Sequence, residues 1–159
     1  MNNPVKKTLT LLHVSYLFSI QITKLCAVGE KNSGKTSWSA LLKGMVPREH
    51  IAYVTKEVNF PFAQFTKDTQ LGLIDEWKNE KVSSDLIKTI LGGGDMTVSR
   101  KFKEPLTIMA KIPIYITTNE LPDFGEDQQI VNDRLHIFRT KELPVHMRKG
   151  NVQEYVFNP

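Results

Sequence analysis

Apolar positions in this chain change spacing in an ordered way, and that order predicts its elements. Leu25-Cys26-Ala27-Val28 is a short continuous apolar run, the pattern of a buried strand. After a polar, glycine-containing stretch, Ser37 to Lys43 is compatible with a helix, and Met45-Val46-Pro47 breaks it. Ile51-Ala52-Tyr53-Val54-Thr55 has the β-branched and aromatic character of a strand. The aromatics of Asn59-Phe60-Pro61-Phe62-Ala63-Gln64-Phe65 read as core. Gln70-Leu71-Gly72-Leu73-Ile74 is a second buried run. Ser83-Ser84-Asp85 then caps a helix with Leu86, Ile87, Ile90 and Leu91 on one face, and Gly92-Gly93-Gly94 ends it.

Met96-Thr97-Val98-Ser99 and Leu106-Thr107-Ile108 read as two short strands around a polar tip. Lys111-Ile112-Pro113-Ile114-Tyr115-Ile116-Thr117 is a nearly continuous apolar strand. Glu126 to Asp133 suits a short helix, and Leu135-His136-Ile137-Phe138 a last strand. Residues 143–159 carry no strong pattern, and there is no internal repeat. Strands alternating with helices predict an α/β fold: a three-layer αβα sandwich with a mostly parallel sheet, helices on both faces and one projecting hairpin.

The first 23 residues stand apart. Lys6-Lys7 precede an apolar run from Thr8 to Ile20, which has the outline of a signal peptide. The run is too short and polar to span a membrane, and no small-x-small cleavage site follows. It is read as an extra element packed on the domain or the start of a truncated sequence. Hence the expected division is an N-terminal extension 1–23, a domain over 24–145 and a tail 146–159.

Composition narrows the classes. Over 159 residues, 40% hydrophobic and 24% charged are globular values, and the length suits one domain. A net charge of +4 permits an anionic partner. A single cysteine, Cys26, excludes an internal disulfide and fits a reducing compartment, with Cys26 as a small buried residue of the first strand. His13, His50, His136 and His146 have no metal-ligand spacing, so zinc is not expected.

The chemistry begins at Gly29-Glu30-Lys31-Asn32-Ser33-Gly34-Lys35-Thr36, which fits the phosphate-loop pattern G-x-x-x-x-G-K-[ST] between a strand and a helix. Gly29 and Gly34, lacking Cβ, let backbone N–H groups close around phosphate oxygens, and the helix N-terminus adds partial positive charge. Lys35 is expected to reach the β- and γ-phosphates of ATP, and Thr36 to ligate Mg²⁺. About 40 residues on, the second buried run delivers Asp75-Glu76. Asp75 suits the metal, and Glu76 suits orienting and deprotonating the attacking water, while alone the pair equally fits a common strand end in a solvated acidic turn. Asn119, after the Thr117-Thr118 strand end, has an amide that could hold that water or touch the γ-phosphate. As a bare residue it is more often a turn former. Arg100-Lys101-Phe102-Lys103 form a basic, aromatic tip that suits a phosphate backbone or an unstacked base, although by themselves they favour a solvated surface turn.

Taken together, these segments resemble the superfamily 3 helicases of small DNA viruses, most nearly the parvovirus nonstructural replication protein. The papillomavirus replication helicase and polyomavirus large T antigen are more distant. Carrying the likeness are residues 29–36, Leu-Ile-Asp-Glu (73–76), Ile-Lys-Thr-Ile-Leu-Gly-Gly (87–93), Ser-Arg-Lys-Phe-Lys (99–103), Ile-Pro-Ile-Tyr-Ile-Thr-Thr-Asn (112–119) and Asn-Asp-Arg-Leu (132–135). The resemblance implies an AAA+-like phosphate-loop NTPase, with Asp75-Glu76 as the Walker B pair and Asn119 as sensor. It implies that Lys101 and Phe102 lie on a DNA-contacting hairpin, where the family often has Lys-His. Arg134, fifteen residues after Asn119, would be an arginine finger completing a neighbour's ATP site, which implies a homo-oligomeric ring, typically a hexamer.

The expected function is therefore an ATP-dependent DNA helicase of viral or virus-derived origin, acting on single-stranded DNA in a host nucleus, with RNA left open and no membrane partner. The alternative is an inactive remnant that binds nucleic acid or protein. Its motivation is the 23 residues before the strand, too few for the family's origin-binding domain and helical collar. A GTPase is disfavoured by the lack of an Asn-Lys-x-Asp base reader, and a nucleotide kinase by the lack of an evident lid.

Overall fold

In the computed structural model, residues 24–54, 60–77, 84–109 and 111–145 are described. The extension 1–23, the tail 146–159, and Thr55, Asn59 and Ser83 lie outside them.

Five strands form one sheet in the order β2-β3-β6-β1-β7: β1 (Lys24–Gly29), β2 (Ile51–Tyr53), β3 (Leu71–Ile74), β6 (Ile114–Thr118) and β7 (His136–Thr140). All four of its pairings are parallel. β3 and β6 are buried at every position, as strands covered on both faces must be. β4 (Asp95–Arg100) and β5 (Lys103–Met109) form a separate antiparallel hairpin. Among the described residues three α-helices accompany the strands: α1 (Lys35–Met45), α2 (Ser84–Leu91) and α3 (Gln128–Arg134). None of the helices among the described residues is long and apolar enough to cross a membrane.

Two apolar clusters fill the two faces. One joins Cys26, Val28, Ile74 and Ile116 of the sheet to Ile90 and Leu91 of α2, Val131 of α3, and Met96, Val98 and Ile108 of the hairpin. Phe62 and Phe65 belong to it, edge to face at 5.4 Å, as expected for core aromatics. The other joins Ala27, Leu71, Leu73 and Tyr115 to Leu42 of α1. The result is the expected α/β sandwich, with α1 on one face and α2, α3 and the hairpin on the other. Lys88 of α2 approaches buried Asp127, just before α3, at 3.6 Å.

Boundaries moved where a backbone group had another partner. The strand expected from Lys111 begins at Ile114, and Pro113 instead offers its carbonyl to Gly72 N–H at 2.8 Å. The expected Glu126–Asp133 helix opens as a 3₁₀ turn and runs through Arg134, which ends α3 rather than following it. Arg100 and Lys103 pair as the last residues of the hairpin strands, so the tip is only Lys101-Phe102.

Lys24 is an unexpected core member, 3% exposed at the amino end of β1, its ammonium donating to the Ile112 carbonyl at 2.8 Å. Burial pulls its pKa from 10.5 down to about 8. Between those values the unfolded chain binds more protons, so this group makes stability rise with pH there, and its full cost is present below pH 8. Lys24→Met is expected to remove the wild-type rise in stability between pH 8 and 10.5, as read by urea titrations across that window. A rise that survives the substitution would contradict the account.

Candidate functional site

The sheet order decides what meets at its carboxyl edge. β1 runs into α1 on one face, whereas β6 leads through α3 on the other face to β7. Neighbouring strands that depart to opposite faces open a crevice at their carboxyl ends, where ligands bind in sheets of this kind. The phosphate-loop pattern sits at that crevice.

The register places the other residues. Val28 pairs with Thr118, so Asn119 is level with Gly29, one strand spacing (~4.8 Å) away. Ile74 pairs with Ile116, so Asp75 stands two strand spacings (~10 Å) from the loop strand. Gly29–Thr36, Asp75, Glu76 and Asn119 therefore share one edge, and Asp75, Glu76 and Asn119 are exposed on it. Arg134 is not brought there. His136 pairs with Leu25 near the other end of β1, which puts Arg134 at the amino edge, ~13 Å along the strand from Gly29.

The loop is held by its own groups and by β7. Gly34 caps α1 at φ +86° with no side-chain cap, leaving first-turn N–H groups available to an anion. Asn32 also has a positive φ, +59°. The Ser33 hydroxyl donates to the Glu30 carbonyl at 2.7 Å and accepts from Thr140 at 2.8 Å. Leu143 N–H donates to the Asn32 carbonyl at 3.1 Å. The Lys35 ammonium lies over the loop, donating to the carbonyls of Gly29 and of Glu30, the latter at 2.7 Å. Burial lowers its pKa, and the Glu76 charge opposes that shift. Beneath, the Tyr115 hydroxyl donates to the Lys35 carbonyl at 3.3 Å, and burial pushes that phenol upward.

On the facing side, Asp75 lies 3.6 Å from Lys43 of α1. Burial works against the Lys43 ammonium, but a hydrogen bond that it donates to the Tyr53 hydroxyl and the Asp75 charge outweigh it and raise its pKa. Glu76 takes φ +53°, a conformation unusual for its residue type. Its N–H donates to the Thr117 hydroxyl at 3.1 Å, and Trp77 N–H to the Thr117 carbonyl at 2.8 Å. The Thr118 hydroxyl faces the carbonyls of Trp77 and Glu120. The strand end of β6 thus clamps the turn that presents both acids. The hydroxyl of Thr36 and the carboxylate of Asp75 are hard oxygen donors of the kind Mg²⁺ takes, and the uncapped helix turn suits a polyphosphate. The residues present fit the nucleotide and its metal.

Away from this edge, Phe102 at the hairpin tip is 94% exposed and sits at φ +59°. Lys101 lies 5.3 Å from its ring centroid. Cys26 is buried, with its thiol pushed up to about 12 by desolvation, an inert packing group.

Thr140, Lys43, Tyr115 and Thr117 were not evident in the sequence as parts of the site. Each acts across a long sequence separation; Tyr115 and Thr117 lie in the 112–119 segment without a role of their own there, and Thr140 and Lys43 sit in no local pattern. Thr140 also adds a reason for Gly29. A Cβ at Gly29 would lie 2.3 Å from the Thr140 carbonyl oxygen and hydroxyl, so the strand pairing itself demands glycine. Gly29→Ala is expected to cost about 3 kcal/mol or more in urea unfolding, because backbone must shift. Gly94→Ala, with open space around it, is expected within about 0.5 kcal/mol of wild type. A tolerated Gly29→Ala would contradict the close pairing.

A model of a family of unknown function, DUF5906, matches residues 27–134, from inside β1 to the end of α3. No curated protein matches the chain. Among solved structures, an A-form apo structure of the NrS-1 C-terminal region is 16% identical at TM-score 0.59, covering 91% of this chain and 36% of that one. A second such structure is 18% identical at TM-score 0.64, covering 87% and 34%. JCV helicase, with an acetamide ligand bound, is 15% identical at TM-score 0.59, covering 82% and 41%. At these identities the likeness is one of fold. The chain spans between 34% and 41% of the length of these solved chains.

Proposed function

The chain belongs to DUF5906, a family of unknown function, and for this member we propose an ATP-driven motor domain that moves on single-stranded nucleic acid. One observation carries the reading. The sheet order sets the phosphate loop, the Asp75-Glu76 turn and Asn119 side by side at one edge, with Glu76 close enough to act on the charge of Lys35. The shared fold with JCV helicase supports it. The finer likeness to superfamily 3, and to the parvovirus protein within it, rests on motif order.

In this reading the loop N–H groups and Lys35 bind the phosphates of ATP. Thr36 and Asp75 hold Mg²⁺, which when bound neutralises charge developing on the transferred phosphoryl group. Lys43 gives up Asp75, an exposed contact worth less than about 1 kcal/mol. Glu76, fixed by Thr117, orients and deprotonates the attacking water, and Asn119 holds that water or the γ-phosphate. Arg134, far from its own loop, is exposed at the opposite edge and is proposed to complete a neighbour's site. That arrangement requires a ring of copies, proposed as a hexamer, in a viral or virus-derived replication protein of a host nucleus.

The tip supports a nucleic-acid partner. A bulky residue at positive φ in a two-residue turn is worse for folding than glycine or asparagine. Keeping an almost fully exposed aromatic there suits stacking against an unpaired base, with Arg100, Lys101 and Lys103 beside it for phosphates. DNA is the proposed partner; RNA offers the same stacking faces.

Two measurements test this. ATP hydrolysis, stimulated by single-stranded DNA, is expected to fall at least about 100-fold in Lys35→Ala and in Glu76→Gln, with Glu76→Gln still binding nucleotide. Absence of wild-type hydrolysis at concentrations where rings form would refute the motor. Phe102→Asn is expected to keep or raise the melting temperature, and to weaken oligonucleotide binding about 5- to 100-fold. Unchanged binding would remove the tip from the nucleic-acid site.

A further inference from the structure

A cleft of about 500 Å³ opens at the amino edge of the sheet, opposite the proposed nucleotide site. Thr66, Lys67 and Thr69 line it from the turn before β3, Thr107 from β5, and Lys111 from the approach to β6. Ile108, Ile112 and Pro113 give it an apolar floor. Lys67 and Lys111 are both exposed, and neither is in an ion pair among the described residues. The turn carrying Lys67 is fixed in advance: Thr66 N–H donates to the Thr69 hydroxyl at 2.9 Å, and Asp68 N–H to the Thr66 hydroxyl at 3.2 Å. Asp68 is the carboxylate on that turn, and it does not line the cleft.

The hairpin joins this cleft to the tip. β5 runs from Lys103 to Thr107, ~13 Å, within reach of a short extended oligonucleotide. Thr97 pairs with Thr107 across the ladder, and Ser99 lies two residues further along the same face. All three are exposed, so the path carries small hydroxyl donors, with two carboxylates beside it: Asp95 at its base and Glu104, which the register shift sets with Pro105 opposite Ser99. Two cations on separate walls over an apolar floor suit a chain that alternates phosphate with sugar and base. A compact free anion needs convergent donors instead.

We propose that this cleft is a second phosphate-contact station for the single strand that meets the hairpin tip, with Lys67 and Lys111 neutralising its phosphates and Thr97, Ser99 and Thr107 lining the path between. The proposal rests on the nucleic-acid reading of the tip. It assigns this chain a contact surface that extends from Phe102 down the hairpin to the start of β6.

The test uses the full chain with fluorescent dT20 and dT4 at several salt concentrations, comparing wild type, Lys67→Gln/Lys111→Gln and Phe102→Asn, with tripolyphosphate as competitor. The double variant is expected to keep its melting temperature and bind dT20 roughly ten-fold more weakly. Its salt slope with dT20 is expected to be shallower by about 1.4, or 0.7 for each lost phosphate contact. Phe102→Asn is expected to weaken both oligomers without changing the slope. Wild-type binding of dT20 matched by the double variant in affinity and slope overturns the cleft and leaves the tip standing. A double variant that loses only tripolyphosphate binding also overturns it, marking a free-anion site. Failure of wild type to bind either oligomer overturns tip and cleft together.

Discussion

At the carboxyl end of β1 the chain has room for one residue type. Gly29 lies against the backbone of Thr140, and that contact fixes where the phosphate loop begins. Everything downstream inherits the constraint. The Thr140 hydroxyl reaches Ser33, Ser33 reaches Glu30, and the loop's curvature is set before α1 starts. α1 then begins at Gly34, whose positive φ turns its first N–H groups toward the crevice, and Tyr115 supports that turn from below. A loop for a highly charged ligand must be rigid before the ligand arrives, since ordering it on binding would weaken affinity.

β6 links the two working edges of the domain. It is fully buried, lies between β3 and β1, and its last two residues hold the turn bearing Asp75 and Glu76. Its approach segment, Lys111 to Pro113, forms one side of the amino-edge cleft. A buried five-residue strand is a stiff connection. A shift at the acidic turn would therefore be transmitted along β6 toward the hairpin base, the route by which the proposed motor would couple hydrolysis to movement.

The charges at the carboxyl edge satisfy one another. Lys35 donates to the carbonyls of its own loop, and Lys43 sits beside Asp75. In the proposed reading, phosphate oxygens would replace the carbonyls at Lys35 and a divalent cation would replace Lys43 at Asp75. The positive φ of Glu76 falls on the residue to which that reading gives the attacking water.

The sequence by itself determined the elements and the chemical inventory. Long apolar runs announced β1, β3 and β6 because strands covered on both faces admit few polar residues. The phosphate loop, Asp75-Glu76 and Asn119 were legible because each sits where an apolar run stops, and the Lys101-Phe102 tip because it lies between two alternating runs. Boundaries were less legible at Pro113 and Arg134, where hydrogen bonds to distant backbone or a 3₁₀ turn shifted an end by a few residues. The tertiary structure alone decided which of these ends stand together. Parallel pairing of β1 with β6 and β7 joins residues about ninety to more than a hundred positions apart, and no local pattern encodes that register. It placed Asn119 and the acids beside the loop, sent Arg134 to the far edge and brought Thr140 and Lys43 in as partners. It also gathered Lys67, Thr107 and Lys111, unremarkable in the sequence, around one cleft, because side chains converge in space through strand order rather than spacing.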